Sequence, residues 1–104
     1  MNYRNRKVLA HARDQQCQGC GSLDGTVVAA HSNAQRHGKG MGIKAHDIPA
    51  YLCSWCHEFV DRSRTASNEE RQAYWMEAAR KSYRLFSHLL DEEGQKAARE
   101  MGVA

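Results

Sequence analysis

The longest patterned stretch lies in the second half of the chain, where Tyr74, Trp75, Ala78, Leu85, Phe86, Leu89 and Leu90 recur at helical spacing. Arg71, Arg80, Lys81, Arg84 and Asp91 fall mostly between them, so one face is apolar and the other charged. Ser67 followed three residues later by Glu70 fits a capping box. The pattern predicts an amphipathic covering helix over residues 67–92, ending before Gly94, with Trp75 and Phe86 in the core. Residues 95–104 read as a short frayed helix or a tail. Upstream the signals are shorter. Residues 3–14 place Val8 and Leu9 beside several bases, predicting a short helix within a basic segment, 1–16. A β-prone run after Gly25 predicts a strand over residues 27–31. Residues 32–47 are polar and glycine-rich and read as a loop. Residues 48–52 lead into a cysteine pair, and the chain from Cys56 onward reads as the first turns of a helix.

These elements define a small α+β chain in one domain, as 104 residues allow. Residues 15–60 hold few large apolar side chains, so something other than a hydrophobic core must organise them. Cys17-x-x-Cys20 and Cys53-x-x-Cys56 supply it: two such pairs, 32 residues apart, can close around one tetrahedral ion with four thiolates. Disulfides and a redox CxxC are the competing readings. No βαβ pattern surrounds either pair, which weakens the redox one. No apolar run approaches the roughly 18 residues of a membrane span, and the first residues lack a signal-peptide core. A cytoplasmic chain is therefore expected, and in a reducing compartment thiolates on zinc rather than disulfides. Residues 17–62 become a zinc-held core, with the metal supplying much of their folding free energy.

The formal net charge of +3 is unevenly placed. Residues 1–65 carry nine bases against five acids, whereas residues 66–104 carry six against seven. The cysteine-bearing part is the basic part, which suits a polyanion such as nucleic acid as well as it suits a merely solvated surface.

Two histidines flank the cysteine framework. His31 ends the predicted strand and His57 follows Cys56 directly, so neither is needed by the cluster. Held by one zinc, the strand end and the helix start would face each other across a narrow cleft, and a helix N-terminus there favours an anion. One imidazole could activate water at a phosphate while the other holds a divalent ion. The plainer reading of His57 alone is a surface residue. His11 and His88 read as ordinary helix-surface positions.

Cys17-x-x-Cys20, Ala30-His31, the glycine-rich stretch with Lys44 and Asp47, and Leu52-Cys53-x-x-Cys56-His57 with Asp61 together resemble the HNH, or ββα-metal, nuclease superfamily. The likeness covers roughly residues 6–92 and is greatest to small phage and prophage nucleases related to the RecA-directed recombination-enhancement nucleases. It implies a zinc-stapled β-hairpin plus helix, with the four cysteines on structural zinc. It further implies His31 as general base, Asp47 as the residue orienting it, and His57 as ligand of a catalytic Mg²⁺ or Mn²⁺. Many such enzymes carry aspartate before the strand histidine as a second metal ligand. Here that residue is Ala30, and His37, His46, Asp47 and Asp61 are the candidates to replace it. Arg36, Lys39 and Lys44 are candidate contacts to DNA phosphates. DNA is the expected partner, with a recombinase filament as a second. The competing function is a non-catalytic zinc-stapled nucleic-acid-binding or recombination accessory module, and the third a zinc-held protein adaptor.

Overall fold

A computed structural model describes residues 3–32 and 47–104 as a small α+β fold. Helix α1 (Arg6–His11) continues as a 3-10 turn, Ala12–Asp14. Strands β1 (Val28–Ala30) and β2 (Ala50–Leu52) pair antiparallel, with Val28 opposite Leu52 and Ala30 opposite Ala50. Helix α2 (Ser54–Arg62) follows β2 after one residue; α3 (Asn68–Phe86), a 3-10 turn (Ser87–Leu89) and α4 (Glu92–Met101) complete the chain. Among the described residues no helix is long and apolar enough to cross a membrane.

Two strands of three residues cannot stand alone, and the free edge of β2 is taken by two other elements. The Tyr51 N–H donates to Ser82 Oγ of α3 at 2.8 Å, and Ser82 Oγ donates in turn to the Ala78 carbonyl at 2.7 Å. The Tyr51 carbonyl accepts from the Gln18 N–H at 2.8 Å, which ties the first cysteine turn to the sheet. At the end of β1, Trp75 Nε1 donates to the Ala30 carbonyl at 2.8 Å. The predicted core role of Trp75 and Phe86 holds: both are buried, together with Tyr51, Ile48, Leu52, Val8 and Val27.

The capping box at the head of α3 is present in both directions, Ser67 Oγ accepting from the Glu70 N–H and Glu70 Oε1 from the Ser67 N–H. The covering element is, however, two helices rather than one over 67–92. Past Phe86 the chain tightens into its 3-10 turn and becomes extended at Leu90, because Asp91 opens a new helix. The Asp91 carboxylate accepts from the Gly94 N–H at 2.9 Å, and Glu92 and Glu93 place negative charge on that helix's positive end. Gly94 therefore lies inside α4, where the Tyr3 ring crosses so closely that a Cβ would meet it at 2.6 Å. Residues 95–104 are no tail. Gly102 stops α4 in the left-handed conformation at φ 82°, Val103 N–H bonds back to the Ala98 carbonyl, and Ala97, Ala98, Met101 and Val103 are buried.

The other boundaries move by smaller amounts. Residues 3–5 stay outside α1 because Asn5 caps it, its side chain accepting from the Lys7 and Val8 amides. His31 lies one residue past β1. Helix α2 begins at Ser54 with Cys53 as its N-cap, before the expected start at Cys56, and its exposed end is closed by Arg71, which donates to the Val60 and Asp61 carbonyls. His11 is not a plain surface residue: its Nδ1 lies 3.2 Å from the Tyr51 hydroxyl, and its ring meets that of His88 edge-on.

Gly94→Ala should destabilise the fold by about 1–3 kcal/mol, the overpacking cost of forcing Tyr3 aside outweighing alanine's better helix propensity. Urea unfolding measures it; an unchanged or raised midpoint would show that Tyr3 does not seat against α4.

Candidate active site and metal centre

Cys17, Cys20, Cys53 and Cys56 converge, their sulfurs all within 4.8 Å of one another. The first pair sits in a tight turn where the Gly19 and Cys20 amides lie 3.3 and 3.4 Å from Cys17 Sγ and Gly21 takes φ 84°. The second pair brackets the head of α2, so the strand–helix junction and the turn meet at one point. Cys20 Sγ and Cys53 Sγ are 3.7 Å apart. That is far beyond a disulfide of about 2.05 Å, and all four thiols are free. It matches the ~3.8 Å edge of a tetrahedron with Zn–S bonds near 2.3 Å. The donor set therefore fits a zinc-like ion that the four sulfurs would hold. Burial alone would raise the Cys17 thiol, but backbone N–H groups of Cys20, Cys53 and Gly19 outweigh it and bring it down to about 6. Burial pushes Cys53 and Cys56 the other way. Tyr74 lies with its hydroxyl 3.1 Å from Cys56 Sγ, and the same hydroxyl would be struck by any side chain at Gly19.

The remaining predicted residues fall into two pairs. His31 Nε2 lies 3.2 Å from Asp47 Oδ1. Asp47 is almost fully buried and is held on three sides: Arg4 Nη1 donates to Oδ1 at 3.0 Å, the Asn5 N–H donates to Oδ2 at 2.9 Å, and its own N–H donates to the Tyr3 carbonyl. Arg4 and Asn5 belong to the site, and sequence reading missed them. Their only signal was polarity beside a helix start, which capping explains equally well.

The second pair is His57 and Asp61, one helical turn apart on α2, with His57 Nε2 3.1 Å from Asp61 Oδ2. Both are partly exposed and line a groove of about 400 Å³ with Thr26, Val28, Ser54, Glu58 and Arg62. Thr26 is set by an Asp24 turn, its N–H and hydroxyl both donating to Asp24 Oδ1, and its Oγ1 accepts the Ser54 N–H at the head of α2. His31 does not line this groove. The His57 N–H already bonds the Cys53 carbonyl, so it is not a free helix-end donor for an anion. Ala30 is buried and contributes only a carbonyl, which Trp75 occupies. Two protein donors, His57 and Asp61, suit an ion that keeps much of its water, as Mg²⁺ does. Arg36, Lys39, Lys44, His37 and His46 lie outside the described residues.

No protein-family model, curated protein or solved structure matches this chain.

Protein purified without chelator should carry about one zinc per chain by metal analysis. Zinc must displace protons from the raised thiols of Cys53 and Cys56, while Cys17 at about 6 is already thiolate at pH 8. Apparent zinc affinity should thus fall about 100-fold or more for each pH unit between 8 and 7, two protons at least being displaced. Competition with a chromogenic chelator reads this; two disulfides and no metal would remove the staple.

Proposed function

We propose that this protein is a metal-dependent DNA endonuclease of the HNH type that hydrolyses phosphodiester bonds, acting in the cytoplasm on DNA or on a recombinase-coated strand. The observation that carries the reading is the buried Asp47 carboxylate against His31 at 3.2 Å. A carboxylate fixed by Arg4 and Asn5 holds the imidazole through its Nε2 in one orientation. His31 is then the base: it takes a proton from water as the oxygen attacks phosphorus, and the P–O3′ bond breaks opposite. The leaving oxygen is protonated from solvent. His57 and Asp61 would hold a Mg²⁺ or Mn²⁺ ion, which supplies positive charge to the phosphate oxygens and the leaving group. Arg62, beside that pair, offers a phosphate contact. Arg36, Lys39 and Lys44 remain proposed contacts to DNA phosphates.

A second reading, a non-catalytic zinc-stapled nucleic-acid-binding module, draws on Ala30, which offers no side-chain ligand where an aspartate would stand.

Cleavage of supercoiled plasmid with added Mg²⁺ or Mn²⁺ separates the two. His31→Ala should lower turnover about 100-fold or more while leaving DNA affinity in place. Wild type and His31→Ala that are equally inert, with and without a recombinase filament, would leave only the binding module. Asp61→Ala should raise the metal concentration needed for half-maximal cleavage without loss of bound zinc. Unfolding of that variant would mean that the His57–Asp61 pair is structural.

A further inference from the structure

Helix α2 carries a second functional-looking face. Trp55 is 67% exposed, the largest exposed aromatic among the described residues. It is not loose: its ring lies parallel to Phe59, with centroids 6.0 Å apart and an interplanar angle of 12°. Phe59 meets the Tyr74 ring edge-on at 5.1 Å, and Tyr74 reaches Cys56. The indole is thus the outer plate of an aromatic column built up from the cysteine cluster, with one face toward solvent. A groove of about 320 Å³ runs beside it, lined by Trp55, Phe59, Glu58, Arg62, Ser63 and Thr65.

This groove and the one beside His57 share Glu58 and Arg62. At about 100° per residue around a helix, Glu58 projects midway between the His57–Asp61 face and the Trp55–Phe59 face, and Arg62 projects beside Trp55. The two faces are about 15 Å apart around the surface of a helix about 10–12 Å in diameter. A nucleic-acid strand crossing α2 therefore leaves the histidine pair, passes the Glu58 carboxylate, and meets the Arg62 guanidinium beside the flat ring. Paired bases keep their faces stacked inside the duplex and cannot reach a ring on a convex helix. An unpaired base can, and every base has such a face.

We propose that the Trp55–Phe59 platform binds an unpaired nucleobase, with Arg62 on the adjoining phosphate, and so directs this protein to single-stranded or frayed DNA. The inference rests on the nucleic-acid reading of the α2 site and names its substrate form.

The test is binding of an oligothymidylate of about 12 nucleotides to the zinc-loaded protein without added divalent ion, followed by indole emission. Trp75 is buried and Trp55 exposed, so quenching on binding reports Trp55. The single strand should quench part of the emission, and a duplex of the same length should quench little. Trp55→Ala should abolish the quench and weaken single-strand binding about tenfold or more. Trp55→Phe should retain most of the affinity. Zinc content and Trp75 emission should match wild type in both variants, as expected for an exposed position. Trp55→Ala binding as tightly as wild type would overturn the proposal. So would equal quenching by duplex, no binding of either nucleic acid, or concentration-dependent self-association that hides Trp55 without DNA. Because the assay needs no cleavage, a protein that binds through Trp55 but never cuts removes the endonuclease reading and leaves this one. A protein that cuts, with Trp55→Ala binding and cutting normally, does the reverse.

Discussion

Four sulfurs meeting at one point are the constraint on which the rest of this structure depends. The sheet has three residues per strand, and no pair so short persists on backbone hydrogen bonds alone. The first cysteine turn reaches β2 through Gln18, Cys53 ends β2 and heads α2, and Cys56 turns toward Tyr74 of α3. Turn, strand, helix and covering helix are therefore all referred to the same few atoms. In such a fold the free energy of metal binding is folding free energy. An ion there would also tie the relative placement of His31 and His57, which sit on different elements, to the four sulfurs.

The cluster leaves the chemistry to residues it does not use. Four thiolates would fill every position of a tetrahedral ion held there, the donor set of a structural rather than a catalytic zinc. What stands beside it are two carboxylate–histidine pairs in different surroundings. Asp47 is buried and fully held, whereas Asp61 and His57 are partly exposed on a groove. A locked pair suits orientation of a base, and an open one suits an exchangeable ion. That difference in solvation is what distinguishes the two roles proposed here, since the residue types are the same.

Much of this was legible in the chain because the signals were local. The CxxC spacing, the Ser67–Glu70 box and the helical recurrence from Tyr74 to Phe86 each depend on residues within a few positions, and each is present. The long reading of that helix failed because Leu89 and Leu90 keep the apolar rhythm through a break. The contrary signal, Asp91 with Glu92 and Glu93 ahead of small residues, is itself a helix start. Gly94 read as a stop because its reason for being glycine, the Tyr3 ring, lies some ninety residues away. Arg4 and Asn5 were invisible as site residues for the same reason. The pairing of His31 with Asp47 came only with the family resemblance, Asp61 was one of four candidates to join His57, and the depth at which Asp47 is buried was in neither signal.

Tyr3 and Asn5 touch two things that sequence keeps far apart. Tyr3 crosses Gly94 and its carbonyl takes the Asp47 N–H, while Asn5 bonds both Asp47 and the Leu89 carbonyl. The docking of α4 and the seating of the Asp47 carboxylate therefore share one hasp. In a mutational scan Gly94 would sort with the residues of the site, although it does not touch it. A map of sensitivity drawn on this chain would then outline the hasp as well as the chemistry, and only a separate measure of folding would tell the two apart.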